Sequence, residues 1–298
     1  MEDFYDNSTS LDSSFAYDNT SFDEYEFDRM MSKYMYYEKV EFISHVMTCV
    51  IICIGLPLTL VAIYAVYSLV RNDHVAPIYV INLLISDIMQ LCALIFMEVP
   101  INRDTFNIAY FIHIFGVAAS VSFMVCIAVE RYLVVSRPLW YRYKRSIRTS
   151  VVVCVLVWAF PLVFLLFFEF WDNFEVINVL ISVFLLFPLP VFIFCLGGTL
   201  KALSASRIPS DEKRRIMGIL VLVLLIYTLL FMPKIICFLT NRDVYSFTFD
   251  ILTFLVVKFS PLADLVLYVF MRAGTIDKLL AAVCCCRMDS NDANISAA

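Results

Sequence analysis

The chain has 298 residues, of which 62% are apolar and 16% charged, with a formal net charge of −5 and a mean hydropathy of +0.84. Soluble globular domains hold roughly 45–50% apolar and about 25% charged residues. The surplus here lies in long blocks, which excludes an ordinary soluble enzyme or binding module and predicts a polytopic helical membrane protein.

Residues 1–39 are acidic and polar, with nine acids among the first 28 residues. Such a stretch is expected to be largely disordered on its own, and it does not read as a cleavable signal peptide. Asn7 and Asn19 each begin an N-glycosylation sequon, which suits an extracellular end. Tyr5, Tyr17 and Tyr25 have acidic neighbours, the context of tyrosine sulfation, although so many acids make that pattern nearly unavoidable.

Seven apolar segments follow, at about 42–70, 77–99, 105–136, 149–170, 176–204, 214–240 and 248–270, each long enough to cross a bilayer core at about 1.5 Å per residue. Counting Lys and Arg, 15 of the 22 fall at one set of loops and ends, among them Arg131, Arg142, Lys144, Arg145 and Arg272. That side is cytoplasmic by the positive-inside rule, leaving the N-terminus outside and the C-terminus inside. The domain reading is therefore an acidic extracellular leader at 1–39, a seven-helix bundle at 42–270, an amphipathic interfacial helix at 271–286 and a cytoplasmic tail at 287–298. Cys284, Cys285 and Cys286 suit S-acylation; an unmodified juxtamembrane cluster fits the same residues. Seven other cysteines sit inside apolar runs and behave as small hydrophobes, with no metal-site spacing. No nucleotide loop, zinc motif or nucleophile triad appears, so neither an enzyme nor a nucleic-acid partner is expected.

Glu130-Arg131-Tyr132 ends the third apolar run, and Pro138 and a basic loop follow it. Charges at that place belong to a membrane–water boundary. Seven spans, this triplet, Asn82-Leu83 followed by Asp87, Trp158 27 residues after Arg131, and Asp264 four residues before Tyr268 together resemble the rhodopsin-like (class A) G-protein-coupled receptors over residues 42–286. The stretch from Leu203 to Phe231 resembles the small-ligand and lipid receptors of the branch with nucleotide- and proton-sensing members. The chain departs from the family pattern in four places. Thr59 stands for an asparagine, Phe231-Met232-Pro233 for Trp-x-Pro, and Leu265 for a proline, with Pro261 nearby to supply a helix irregularity. Phe106 occupies the position of the usual outer disulfide cysteine, and the short outer loop at 169–175 holds no cysteine.

The resemblance implies an all-α seven-helix receptor that promotes guanine-nucleotide exchange on a heterotrimeric G protein at the plasma membrane. It assigns Glu130, Arg131, Tyr132, Pro138 and Tyr268 to activation and coupling, with Arg131 paired to Glu130 at rest. Lys213 occupies the place of a second acidic lock and cannot pair with Arg131, which implies a weak resting lock. The same resemblance places a sodium ion and water among Asp87, Ser120 and Asp264, with Ser260 adding an oxygen. Read from the residues, the two acids could instead share a proton or pair with Lys258.

His113, Lys234 and Lys258 lie toward the outer halves of their spans, with Tyr110, Tyr227 and Phe231 near them. By family position the three cationic or titratable groups face the central cavity, which suits an anionic head on an apolar body, an acidic small molecule or lipid. Internal pairing of the lysines with Glu98 or Asp250 is the structural alternative. Lys258 matches the retinal-bearing lysine of opsins, but Ala109 stands at the counterion position and makes retinal an unsuitable ligand. The acidic leader would also recruit a basic peptide by electrostatic steering. A proton sensor would call for an outer histidine cluster, and the chain has only three histidines. The rival class is a decoy or trafficking seven-helix protein without signalling output.

Overall fold

The computed structural model describes residues 16–71, 78–99, 102–136, 147–169, 174–204, 210–239 and 247–271, all but a few of them helical. Seven helical stretches are long and apolar enough to cross a bilayer. The first four spans belong to the helices Ala16–Arg71, Ile78–Glu98, Arg103–Ser136 and Ile147–Glu169. The fifth consists of Phe174–Leu186 and Pro188–Ser204, and the sixth is Ser210–Leu239. The seventh consists of Phe247–Lys258 and a second helix at 260–271.

Two compact units are distinguished, Met1–Val46 and Met47–Ala298. In the first unit the helix begins at Ala16, inside the segment expected to lack structure on its own. No proline or glycine interrupts residues 16–54, so nothing in the local sequence breaks the helix. Its large side chains among the described residues, Phe27, Met30 and Tyr34 among them, are exposed.

In the second unit the third span is the central post. Its buried face runs from Ala109 to Ala128, and it meets the second, fourth, fifth and sixth spans. Phe123, Met124 and Ile127 are fully buried there and share one apolar cluster with Leu84, Tyr227 and Phe231. Two glycines set the closest approaches. A Cβ on Gly116 would lie 2.7 Å from the Gln90 side chain, and one on Gly198 would lie 2.5 Å from the Tyr132 ring. Asn82 ties the second span to the fourth by accepting a hydrogen bond from Trp158 Nε1 at 2.9 Å.

Prolines account for both divided spans. Pro188 has no N–H to donate and its ring crowds the carbonyl four residues back, so the fifth span, expected as one helix, turns at Phe187. The irregularity expected from Pro261 falls at Phe259. There Phe259 N donates to Val256 O, and Leu262 N and Ala263 N both donate to Phe259 O. Ser260 and Asp264 follow directly, so the break orients the polar part of the seventh span.

Candidate functional site

A cavity lies between the third, fourth, fifth, sixth and seventh spans, in the half of the bundle that holds Tyr110 and Lys234, with about 650 Å³ of space when the part open to solvent is counted. Tyr110, Val117, Phe164, Phe184, Phe231 and Phe254 are among its walls, and Lys234 is the one charged side chain among the lining residues described. The lining, apolar with one charged side chain, suits an apolar molecule with one polar handle. Phe231 is fully buried and begins an aromatic path. It contacts Tyr227 at 5.2 Å between ring centroids, and Tyr227 contacts Phe192 of the fifth span at 5.2 Å.

The three cationic or titratable groups do not converge on this cavity. Lys234 reaches it, with Nζ 2.6 Å from Asp250 Oδ1. His113 and Lys258 are not among its lining residues. Lys258 Nζ donates to Thr48 Oγ1 at 2.9 Å and to Glu98 Oε1 at 3.3 Å, a clasp of the first, second and seventh spans. The internal pairing with Glu98 and Asp250 is thus the observed arrangement, because Asp250 and Glu98 stand within reach of cations that burial would otherwise leave uncompensated. Phe254 lies between the two lysines, its centroid 5.8 Å from Lys234 Nζ and 5.2 Å from Lys258 Nζ. It also meets Tyr110 at 5.8 Å and His113, edge-on, at 5.7 Å. Both ring nitrogens of His113 are buried with no hydrogen-bond partner among the described residues, as are both amide atoms of Gln90.

Deeper in the bundle, Asp87, Ser120, Ser260 and Asp264 are fully buried. Ser120 Oγ donates to Asp264 Oδ2 at 2.7 Å, and Asp87 lies within interacting range of Asp264. Asp87 Oδ1 and Oδ2, Asp264 Oδ1 and Ser260 Oγ have no partner among the described residues. An unsatisfied buried polar group costs about 1–3 kcal/mol, and more when charged, so this cluster calls for a guest or a proton. Its all-oxygen donor set fits a hard monovalent cation. Pairing of these acids with Lys258 is not what the structure shows, since Lys258 is turned outward to Thr48 and Glu98. Thr59 Oγ1 donates back to Gly55 O at 2.8 Å within its own helix.

At the opposite end of the bundle, Tyr132 is wedged against Gly198 and packs edge-on against Phe194 at 5.5 Å. Arg131 Nε is buried without a hydrogen-bond partner among the described residues, and Glu130 beside it makes an interaction of its own. The Arg215 guanidinium donates to the Met271 carbonyl, tying the start of the sixth span to the end of the seventh. Tyr268 is half-buried against the core. Pro138, Asn7 and Cys284–Cys286 lie outside the described residues; Asn19 falls in the first helix, its side chain outside them. All seven cysteines placed, Cys49 to Cys237, are free thiols, and Phe106 is exposed where the family's bridge would start.

Phe254, Thr48 and Gln90 were not singled out by the sequence. The signal for Phe254 is its spacing, four residues after Asp250 and four before Lys258, which stacks the three on one helix face. Gln90 likewise follows Asp87 by three residues in an otherwise apolar span.

Comparison with known proteins agrees with this architecture. The family described as "7 transmembrane receptor (rhodopsin family)" matches residues 58–175. The human Mas-related G-protein coupled receptor member X1 is 32% identical over 123 residues, covering 39% of this chain and only 37% of that receptor. The mouse G-protein coupled receptor 68 is 24% identical over 264 residues, covering 76% of this chain and 72% of its own length. The mouse Mas-related G-protein coupled receptor member B5 is 35% identical over 102 residues, 32% of this chain and 30% of that receptor.

Proposed function

We propose that the chain is a rhodopsin-like (class A) G-protein-coupled receptor switched by an acidic amphiphile whose apolar body fills the cavity and whose anionic head takes Lys234 from Asp250. The observation that carries this reading is the pairing at Lys234. The lysine is about one-tenth exposed and lines the cavity, whereas its acid partner is 60% exposed. An exposed carboxylate is held by a weak, solvent-screened contact, so an anion delivered with an apolar body competes with it on favourable terms. Phe231 lies at the cavity wall one turn below Lys234, next to Pro233. A ligand pressing on that ring acts on a span already interrupted by proline, and the Phe231–Tyr227–Phe192 stack relates it to the fifth span.

At the other end, Arg131 would meet the G protein once the sixth span moves outward. The Asp87–Asp264 cluster would be completed by a sodium ion held by Asp87, Ser120, Ser260 and Asp264, or by a proton shared between the acids. The same reading puts the receptor in the plasma membrane with its N-terminus outside, glycosylated at Asn7 and Asn19, and its Cys284–Cys286 cluster acylated inside.

The test is guanine-nucleotide exchange on a panel of G proteins, with long-chain carboxylates and phosphates as stimuli, comparing wild type with Arg131→Ala. Stimulated exchange lost in Arg131→Ala at equal surface level is the expected result. Equal traces for the two proteins would favour the non-signalling alternative.

A further inference from the structure

The cavity has two kinds of wall. On the side of the sixth and seventh spans, the helix backbones approach each other closely. On the opposite side, the contacts described between the fourth span and the Phe174–Leu186 helix of the fifth are made by side chains. Those side chains are rings. Phe164 and Phe184 stack with centroids 4.6 Å apart and planes at 27°. Phe160 leans on Phe184 at 5.8 Å and on Phe164 at 6.3 Å. Phe164 and Phe184 line the cavity, while Phe160 is 60% exposed on a surface that in a bilayer faces lipid. Three phenylalanines therefore reach from the hydrocarbon face to the cavity wall.

We infer that this seam between the fourth and fifth spans is a lateral portal, and that the ligand is a single-chain lipid with one anionic head, entering from the bilayer rather than from water. The inference rests on the reading above for the head at Lys234. A seam closed by stacked rings yields through side-chain rotation, whereas a wall of packed helices yields only by moving backbones, which is far slower. Behind the seam the lining is apolar except for Lys234 and the Tyr110 phenol, so a hydrocarbon chain crosses no polar barrier on its way in. Asp250, the acid to be displaced, is largely exposed near the start of its helix, which sets the head toward the water boundary while the chain reaches inward past Val117 to Phe231. Head at the interface and chain in hydrocarbon is the posture a single-chain lipid already has in a leaflet.

The experiment uses the full chain in lipid nanodiscs and tritiated oleic acid, with a water-soluble aromatic carboxylate as the second probe. Association and dissociation rates are measured for wild type, Phe160→Ala, Phe160→Trp and Lys234→Met. For oleic acid, Phe160→Ala should speed both rates by roughly two- to tenfold, the range set by losing a stacked aromatic pair, and leave the affinity nearly unchanged. Phe160→Trp should slow both, and neither variant should alter the rates of the soluble acid. Phe160 is exposed, so neither substitution threatens folding. Unchanged oleic acid rates in both Phe160 variants, or equal changes for the two probes, would overturn the portal; loss of binding in Lys234→Met would then leave the head-group reading standing. Oleic acid binding unchanged in Lys234→Met, with the Phe160 effects intact, would support the portal and remove the head-group reading instead.

Discussion

Lys234 and Lys258 both approach the ring of Phe254, at 5.8 and 5.2 Å, and each is paired with an acid. Their surroundings differ. Asp250 is 60% exposed and its lysine looks into the cavity, while Glu98 is 17% exposed and its lysine is buried against Thr48. A carboxylate in water can be exchanged for a ligand's anion at small cost. One inside the bundle cannot leave without stranding a charge in low dielectric. Two lysines that look equivalent along the sequence are therefore a replaceable contact in one case and a structural clasp in the other.

The sharpest way to break this comparison is to remove each ammonium in turn. Lys258→Met removes the buried cation that Glu98 faces and should lower stability by about 3–5 kcal/mol, read as a fall in melting temperature in detergent or nanodiscs. Adding Glu98→Leu should restore most of the loss, since an apolar pair replaces an ion pair at little cost. No recovery in the double variant would mean the clasp is not what Lys258 contributes. Lys234→Met should do the reverse: a small change in melting temperature, because the stranded acid is solvated, and a loss of roughly 10- to 100-fold in affinity for an acidic amphiphile, the worth of a hydrogen bond to a charged group. Phe254→Leu takes the ring from both lysines, and its expected cost is about 1 kcal/mol of stability with a severalfold loss of affinity. A loss confined to one readout would show that the ring serves one lysine only. The smallest effect is assigned to Asp250→Asn. Removing the competitor should tighten binding of the acid by a few-fold, in keeping with an exposed ion pair worth about 0–1 kcal/mol. Weaker binding in that variant would mean that Asp250 positions Lys234 for the ligand instead of competing for it.

The seven spans were legible because apolar runs of this length have few other structural uses, and Glu130-Arg131-Tyr132 with Asp87, Trp158 and Asp264 pointed to the family. The division of the fifth span at Phe187 was equally written in Pro188, but a long apolar run hides a break that costs only one backbone bond. Both acids that pair with the lysines could be named beforehand. What could not be read was which alternative wins, because pairing depends on helix rotation and exposure, not on residue type. Phe254 stayed hidden for a different reason: the chain has 27 phenylalanines, and nothing in composition marks the one that lies between two ammonium groups. Thr48 was overlooked because a threonine in a helix usually satisfies itself on its own backbone, as Thr59 does here.

The claim on which the account turns is that an anion meets Lys234 and not Lys258. Equilibrium titration of a fluorescent long-chain carboxylate onto the purified receptor in nanodiscs tests it most directly, with wild type, Lys234→Met and the stability-restored Lys258→Met/Glu98→Leu variant side by side. The account predicts that affinity falls at least tenfold in Lys234→Met, the low end for losing a charged hydrogen bond, and stays near wild type in the double variant. Binding that survives Lys234→Met and disappears in the double variant would contradict it and place the anion at the inner clasp.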